Sequence, residues 1–139
     1  MKILAIESSC DETAAAVVED GRKVLSNIVA SQVKEHIVFG GVVPEIASRK
    51  HIEAIYGLAD QALEKTGLTR QDIDAVAVAE GPGSFTGVRI GVAAAKGFAW
   101  GRDIPCFGVS TLEAMAISLG AYNGIICPVM DARRSQVYN

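Results

Sequence analysis

The stretch from Ile73 to Trp100 reads IDAVAVAEGPGSFTGVRIGVAAAKGFAW, and it decides the fold class. Ile73 to Ala79 is a short, Val-rich apolar run with the length of a buried strand. The Gly-rich segment EGPGSFTG follows, and from about Gly87 to Trp100 a helix is predicted, with Gly101 expected to end it. Strand, tight loop and apolar helix in succession make a βα unit. A further apolar run at Cys106 to Val109 supplies the parallel strand that a right-handed crossover returns to.

Working outward, three strand-like runs precede this unit: Lys2 to Ile6, Ala14 to Glu19 and Val24 to Ala30, with Asp20-Gly21 marking a hairpin turn between the second and third. From Val43 to Lys65 the pattern is helical, with Ile55, Leu58, Ala59 and Ala62 on one face and Gly67 as the stop. Downstream, Ser110-Thr111 with Glu113 close behind open a third helix, and Gly124 to Met130 is a further apolar strand. The order β-β-β-α-β-α-β-α-β predicts a mixed sheet flanked by helices. An antiparallel hairpin feeding parallel βα units resembles a ribonuclease-H-like lobe. The final DARRSQVYN reads as the opening of another hairpin that the chain does not complete. Residues 1–122 are therefore expected to form one lobe and 123–139 the start of a second, truncated one.

The 139 residues carry 13 Lys plus Arg against 16 Asp plus Glu, a formal charge of −3, and half of them are apolar. That composition excludes disorder and leaves no strong electrostatic grip on phosphate backbones, so no strong direct nucleic-acid binding is expected. Nothing has the length of a membrane span or the pattern of a secretory signal. Cys10, Cys106 and Cys127 are odd in number and far apart in apolar settings, which predicts reduced, mostly buried thiols and a cytoplasmic location.

Two loops could carry chemistry. In the turn Glu7-Ser8-Ser9-Cys10-Asp11-Glu12-Thr13, hydroxyls and backbone amides could cradle a phosphate, while Asp11 or Glu12 could hold a divalent cation; the same residues also favour turns for purely local reasons. In Gly81 to Gly87 a helix N-terminus could attract an anion, or Ser84 or Thr86 could simply cap the helix. Val88-Arg89 stand where a P-loop needs Lys and Ser or Thr, and Thr86 stands where a dinucleotide fingerprint needs Gly. In the helix that follows, Gly87, Gly91 and Ala95 recur every four residues as a smooth strip within nearly all-round apolar surroundings. One face can lie on the sheet and the other needs a cover, from this chain or a partner. His36 and His51 lack ligand spacing, and His51 is expected at the surface or an interface.

The segment GPGSFTGVRIG from Gly81 to Gly91, with Gly108 to Leu112 and Asp131 to Arg134 followed by Val137-Tyr138, resembles the TsaB family, the accessory protein of tRNA threonylcarbamoyladenosine synthesis. Ile6 to Gly21, IESSCDETAAAVVEDG, and His36 to Ile55, HIVFGGVVPEIASRKHIEAI, are similar to TsaD, the catalytic paralogue of that pathway. TsaD-like proteins carry a His-x-x-x-His metal pair in a stretch reading roughly VNHxEGH; here the stretch is Val109-Ser110-Thr111-Leu112-Glu113-Ala114-Met115, with neither His.

The resemblance implies a lobe of the actin/Hsp70/sugar-kinase superfamily acting as a non-catalytic accessory protein. Its first two helices would pair with those of a TsaD-type subunit, or with a second copy as a homodimer. His51, Ile55, Gly87, Gly91, Ala94, Ala95 and Phe98 are the expected contact residues. Ser9, Asp11 and Glu12 keep a nucleotide-side role open, with ATP and magnesium bound only alongside a partner or a second lobe. No metal ligand is assigned. The alternative implied by the same resemblance is a TsaD-like, ATP-dependent threonylcarbamoyl transferase lobe.

Overall fold

A computed structural model describes residues 1–31 and 44–139, with side chains from Ser48 onward in the second stretch. The strands are β1 (Lys2–Glu7), β2 (Glu12–Glu19), β3 (Lys23–Ser31), β4 (Ala75–Gly81) and β5 (Cys106–Ser110). The helices are α1 (Pro44–Glu64), α2 (Phe85–Arg102) and α3 (Thr111–Ser118), and a hairpin of β6 (Met130–Arg133) and β7 (Gln136–Tyr138) follows. The expected β-β-β-α-β-α-β-α order holds.

The sheet runs β3-β2-β1-β4-β5. β1 is antiparallel to β2, from Lys2 opposite Glu19 to Glu7 opposite Ala14, and parallel to β4, from Ile3 opposite Ala75 to Ile6 opposite Val78. The β2–β3 turn has Asp20 at φ 52 and Gly21 at φ 69, the two left-handed residues that a tight hairpin between twisted strands needs. Alternation along β1, β2 and β4 sends Leu4, Ile6, Ala15, Val17, Val76 and Val78 into one cluster with Ile55, Leu58, Ala59, Ala62 and Leu63 of α1 and Ala94, Ala95 and Ala99 of α2. Both helices therefore cover the same face, as two successive right-handed crossovers in one direction require. α3 packs against β4 and β5 and has no buried residue.

Several expectations are corrected. α2 does not end at Gly101 but runs through Arg102, and Asp103 takes the left-handed position at φ 54. Asp103 N–H donates to Trp100 O and Ile104 N–H to Ala99 O, closing the helix end. The Arg102 guanidinium is tied to Arg70 O at 2.9 Å and Gln71 O at 3.0 Å, which holds the extra turn in place. Gly124 to Val129 is not a strand: among the described residues it has no ladder partner, and Ile125 is 96% exposed. DARRSQVYN is a closed hairpin, with Met130 opposite Tyr138 and Arg133, Arg134 and Ser135 all at positive φ. Cys10 and Cys127 are exposed free thiols; only Cys106 is partly buried, and burial pushes its thiol pKa up. No helix among the described residues is long and apolar enough to cross a membrane.

Candidate functional site

The two loops singled out in the sequence meet at the C-terminal ends of β1 and β4. That is the end of a parallel sheet at which α/β proteins assemble ligand sites. Ser8 is 2% exposed and its Oγ donates to Gly87 O at 2.9 Å, while Ser84 N–H donates to Ser9 O at 2.6 Å. A Cβ on Gly83 would stand 2.6 Å from Ser9 O, and one on Gly87 would collide with Ser8 O. The glycines therefore permit the close approach of one loop to the other. Ser84 caps α2, its Oγ accepting from Gly87 N–H at 3.2 Å, so the capping reading of this loop holds.

Of the residues expected on the nucleotide side, Ser9 lies buried in this junction, with its N–H donating to Glu7 Oε1 at 2.6 Å and its carbonyl accepting from Ser84. Asp11 is half-buried in the turn. Glu12 begins β2, and its Oε1 accepts from Ser31 Oγ of β3 at 3.1 Å, away from the α2 loop. The structure adds Glu7, which the sequence reading named only as the first residue of the turn and gave no role. Glu7 ends the central strand and lines a groove of about 480 Å³ on the sheet face opposite α1 and α2. Alternation in KILAIE was the available signal, because Leu4 and Ile6 point into the core and Glu7 must point the other way. Ala5, Ala14, Ala77, Ala79 and Thr111 line the same groove.

The residues expected to meet a partner fall largely inside the lobe. His51, expected at the surface or an interface, is 3% exposed, and its Nδ1 lies 2.8 Å from Thr13 Oγ1 of β2. Ile55, Gly87, Gly91, Ala94 and Ala95 are also buried, and Phe98 is partly so. The smooth strip faces Ser8 and Val78, because a Cβ on Gly91 would press on Ser8 Oγ and Val78 Cγ2. An Arg placed at Gly91 or Ala95 would therefore break the fold before it tested any association. The outward face of the helix pair carries Ile52 and Tyr56 of α1 and Thr86, Arg89, Ile90 and Ala93 of α2, around a groove of about 470 Å³. Phe85 is 74% exposed at its end, with the Arg89 guanidinium 3.8 Å above its ring. His36 and the first part of the His36 to Ile55 motif lie outside the described residues.

The family resemblance implies a metal, and the residues present do not fit one. Val109 to Met115 forms the end of β5 and the start of α3, which puts Thr111 and Met115 at the two histidine positions. A hydroxyl and a thioether stand there, and Thr111 Oγ1 is buried without a hydrogen-bond partner. Among the described residues no group of three His, Cys, Asp or Glu side chains comes together as a metal site.

A family model described as "TsaD: tRNA N6-adenosine threonylcarbamoyltransferase" matches residues 23–139. A curated tRNA N6-adenosine threonylcarbamoyltransferase of Clostridium perfringens is 60% identical over 111 residues, 80% of this chain and 33% of that protein. The enzyme of the same name from Geobacter sp. M21 is 52% identical over 119 residues, 86% of this chain and 35% of that one. The chain thus spans about a third of the length of the curated relatives it matches. Among solved structures, YeaZ from Pseudomonas aeruginosa aligns with a TM-score of 0.63 and 25% identity, covering 85% of this chain and 49% of that one. A second Pseudomonas aeruginosa structure, described as similar to peptidase YeaZ, aligns with a TM-score of 0.66 over 99% of this chain and 56% of that one, at 24% identity.

Proposed function

The chain belongs to the TsaD family of tRNA N6-adenosine threonylcarbamoyltransferases, and from that premise we propose that it is a non-catalytic accessory lobe of tRNA threonylcarbamoyladenosine modification. It docks on a TsaD-type catalytic subunit or, without one, on a second copy of itself, through the outward face of α1 and α2. Its five-stranded mixed sheet, with both long helices on one face, is a ribonuclease-H-like fold.

The observation that carries it is the outward apolar groove between Ile52, Tyr56, Ile90 and Ala93. Large side chains exposed together on a helix pair mark a surface that gains free energy when covered. Exposed charge lies on both helices: Arg49, Lys50, Glu53 and Glu64 on α1, and Arg89 and Lys96 on α2. An isologous arrangement can set the carboxylates of α1 in one copy against the cations of α2 in the other. The net charge of −3 fits a helper better than a tRNA binder. In this reading residues 123–139, with the β6–β7 hairpin, open a second lobe, and the Ser9, Asp11 and Glu12 turn meets ATP and magnesium only when a second lobe or partner closes over it.

Sedimentation equilibrium of the chain, alone and with a TsaD-type catalytic subunit, tests the proposal. Ile52→Arg and Tyr56→Arg are expected to weaken association about tenfold or more while leaving the circular dichroism unchanged, since each sits at the centre of the surface. Unchanged association of both variants overturns it. The 60% identity to transferases keeps the catalytic reading as the competitor. Metal-dependent ATP turnover by the purified chain, lost in Asp11→Ala, would establish that reading instead.

A further inference from the structure

We infer that the first turn of α3 keeps the geometry of a two-ligand metal half-site while carrying side chains that cannot hold a metal, so that this lobe takes up no transition metal there. The inference rests on the family assignment and on α3 itself, and is independent of docking through α1 and α2.

Thr111 and Met115 stand four residues apart on one helix and so project from the same face, one turn above the other. The start of α3 is fixed on both sides. β5 pairs Ser110 with Gly81 of β4, and Ser110 caps the helix, its Oγ accepting from Glu113 N–H at 3.4 Å. Thr111 Oγ1 is enclosed yet bonds to nothing, as expected of a position shaped for a polar group with a partner of its own. The groove beside Thr111 is also lined by Glu7 at the end of β1, whereas Met115, 42% exposed, stands outside its lining.

The donors present do not suit a metal. A threonine hydroxyl keeps its proton at neutral pH, and a thioether is a neutral, soft ligand that selects copper(I) over zinc or iron(II). A protonated hydroxyl and a thioether are weak donors to zinc(II) or cobalt(II), whereas two imidazole nitrogens at this spacing grip such an ion as a chelate. The difference between this chain and a metal-bearing lobe then reduces to two side chains on an intact turn.

The experiment is metal uptake, measured by equilibrium dialysis and elemental analysis with zinc(II), and by the visible d–d spectrum with cobalt(II). The wild-type chain is expected to take up no equivalent. The double variant Thr111→His with Met115→His is expected to take up one. Its affinity should exceed by about tenfold that of a control pair, Glu113→His with Ile117→His, because that pair has the same spacing but neither of its members borders the groove that Thr111 lines. Circular dichroism confirms that each variant is folded. One equivalent bound by the wild type and lost in Thr111→Val overturns the inference. So does a folded double variant no better than the control, since the turn would then offer nothing beyond helical spacing.

Discussion

The two faces of the sheet are built from the same strands and end in opposite conditions. On the face under α1 and α2, Leu4, Val17 and Val76 have no exposure and Ile6 and Val78 only 4%. On the other face the same strands present Ala5, Ala14, Ala16, Ala77 and Ala79, half-buried around an open groove. The AVAVA of β4 states the rule: valines go to the packed side and alanines to the open side. The packed face carries the stability of the lobe, and the open face carries its unmet requirements, the unpartnered Thr111 hydroxyl and the exposed apolar side chains of α3.

The sharpest way to break this comparison is to exchange side-chain size across the sheet. Leu4→Ala should cost about 2–5 kcal/mol in denaturant unfolding, because it empties a fully enclosed site that two helices hold open. Ala77→Val on the opposite face should change stability by no more than about 0.5 kcal/mol, since the groove accepts the added methyl groups. Equal costs at the two positions would mean that the open face is packed after all.

The glycines of the packed side give a second, smaller contrast. Gly87→Ala drives a methyl group into the Ser8 carbonyl, a backbone atom that cannot swing aside, and should destabilise by about 1–3 kcal/mol. Gly57→Ala, on the outward side of α1 with nothing within 4 Å, should stabilise by about 0.5–1 kcal/mol through helix propensity. Thermal unfolding of the two variants checks both signs, and destabilisation at Gly57 would show that the outward helix face is already covered in the free chain.

Features that depend on neighbours in sequence were legible from it. The Asp20-Gly21 turn and the Ser110 cap are set within a few residues and were found where the pattern put them, and of the two candidates Ser84 and Thr86 it is Ser84 that caps α2. Features that depend on which surface comes near were not. The Gly87, Gly91 and Ala95 strip correctly reported a close approach, but spacing cannot say to what, and the neighbour is the Ser8 turn and not a partner helix. His51 read as surface because a lone histidine on a helix usually is; its burial follows from Thr13, thirty-eight positions away in the chain. Gly124 to Val129 has strand composition, yet a strand needs a ladder as well as apolar side chains. Gly101 looked like a helix stop, and the tertiary grip of Arg102 on the Arg70 turn carried α2 past it. For the candidate site, the two loops were legible as loops, and alternation in KILAIE could have turned Glu7 to the open face; the contact between the loops came only from the sheet order.

That Arg70 turn, a short 3-10 segment from Arg70 to Asp72, hangs from the packed face through Ile73, which is 1% exposed, and it supplies the smallest of the effects. Thr69 N–H and Thr69 Oγ each donate to Asp72 Oδ2 at 2.7 Å. These bonds favour the charged carboxylate and hold its pKa below the usual value. A carboxyl whose folded pKa is depressed adds stability above its unfolded pKa, near about 4, and loses it as the pH falls through the folded value. Wild type and Asp72→Asn should therefore differ slightly in thermal midpoint at pH 6, with the wild type higher, and the two curves should close on each other as the pH drops below about 4. The group is fully exposed, so the gap should be the narrowest of the set and should shrink when salt is added. If the curves run parallel down to acid pH, the carboxylate charge contributes nothing, and the turn is held by Arg102 and Ile73 alone.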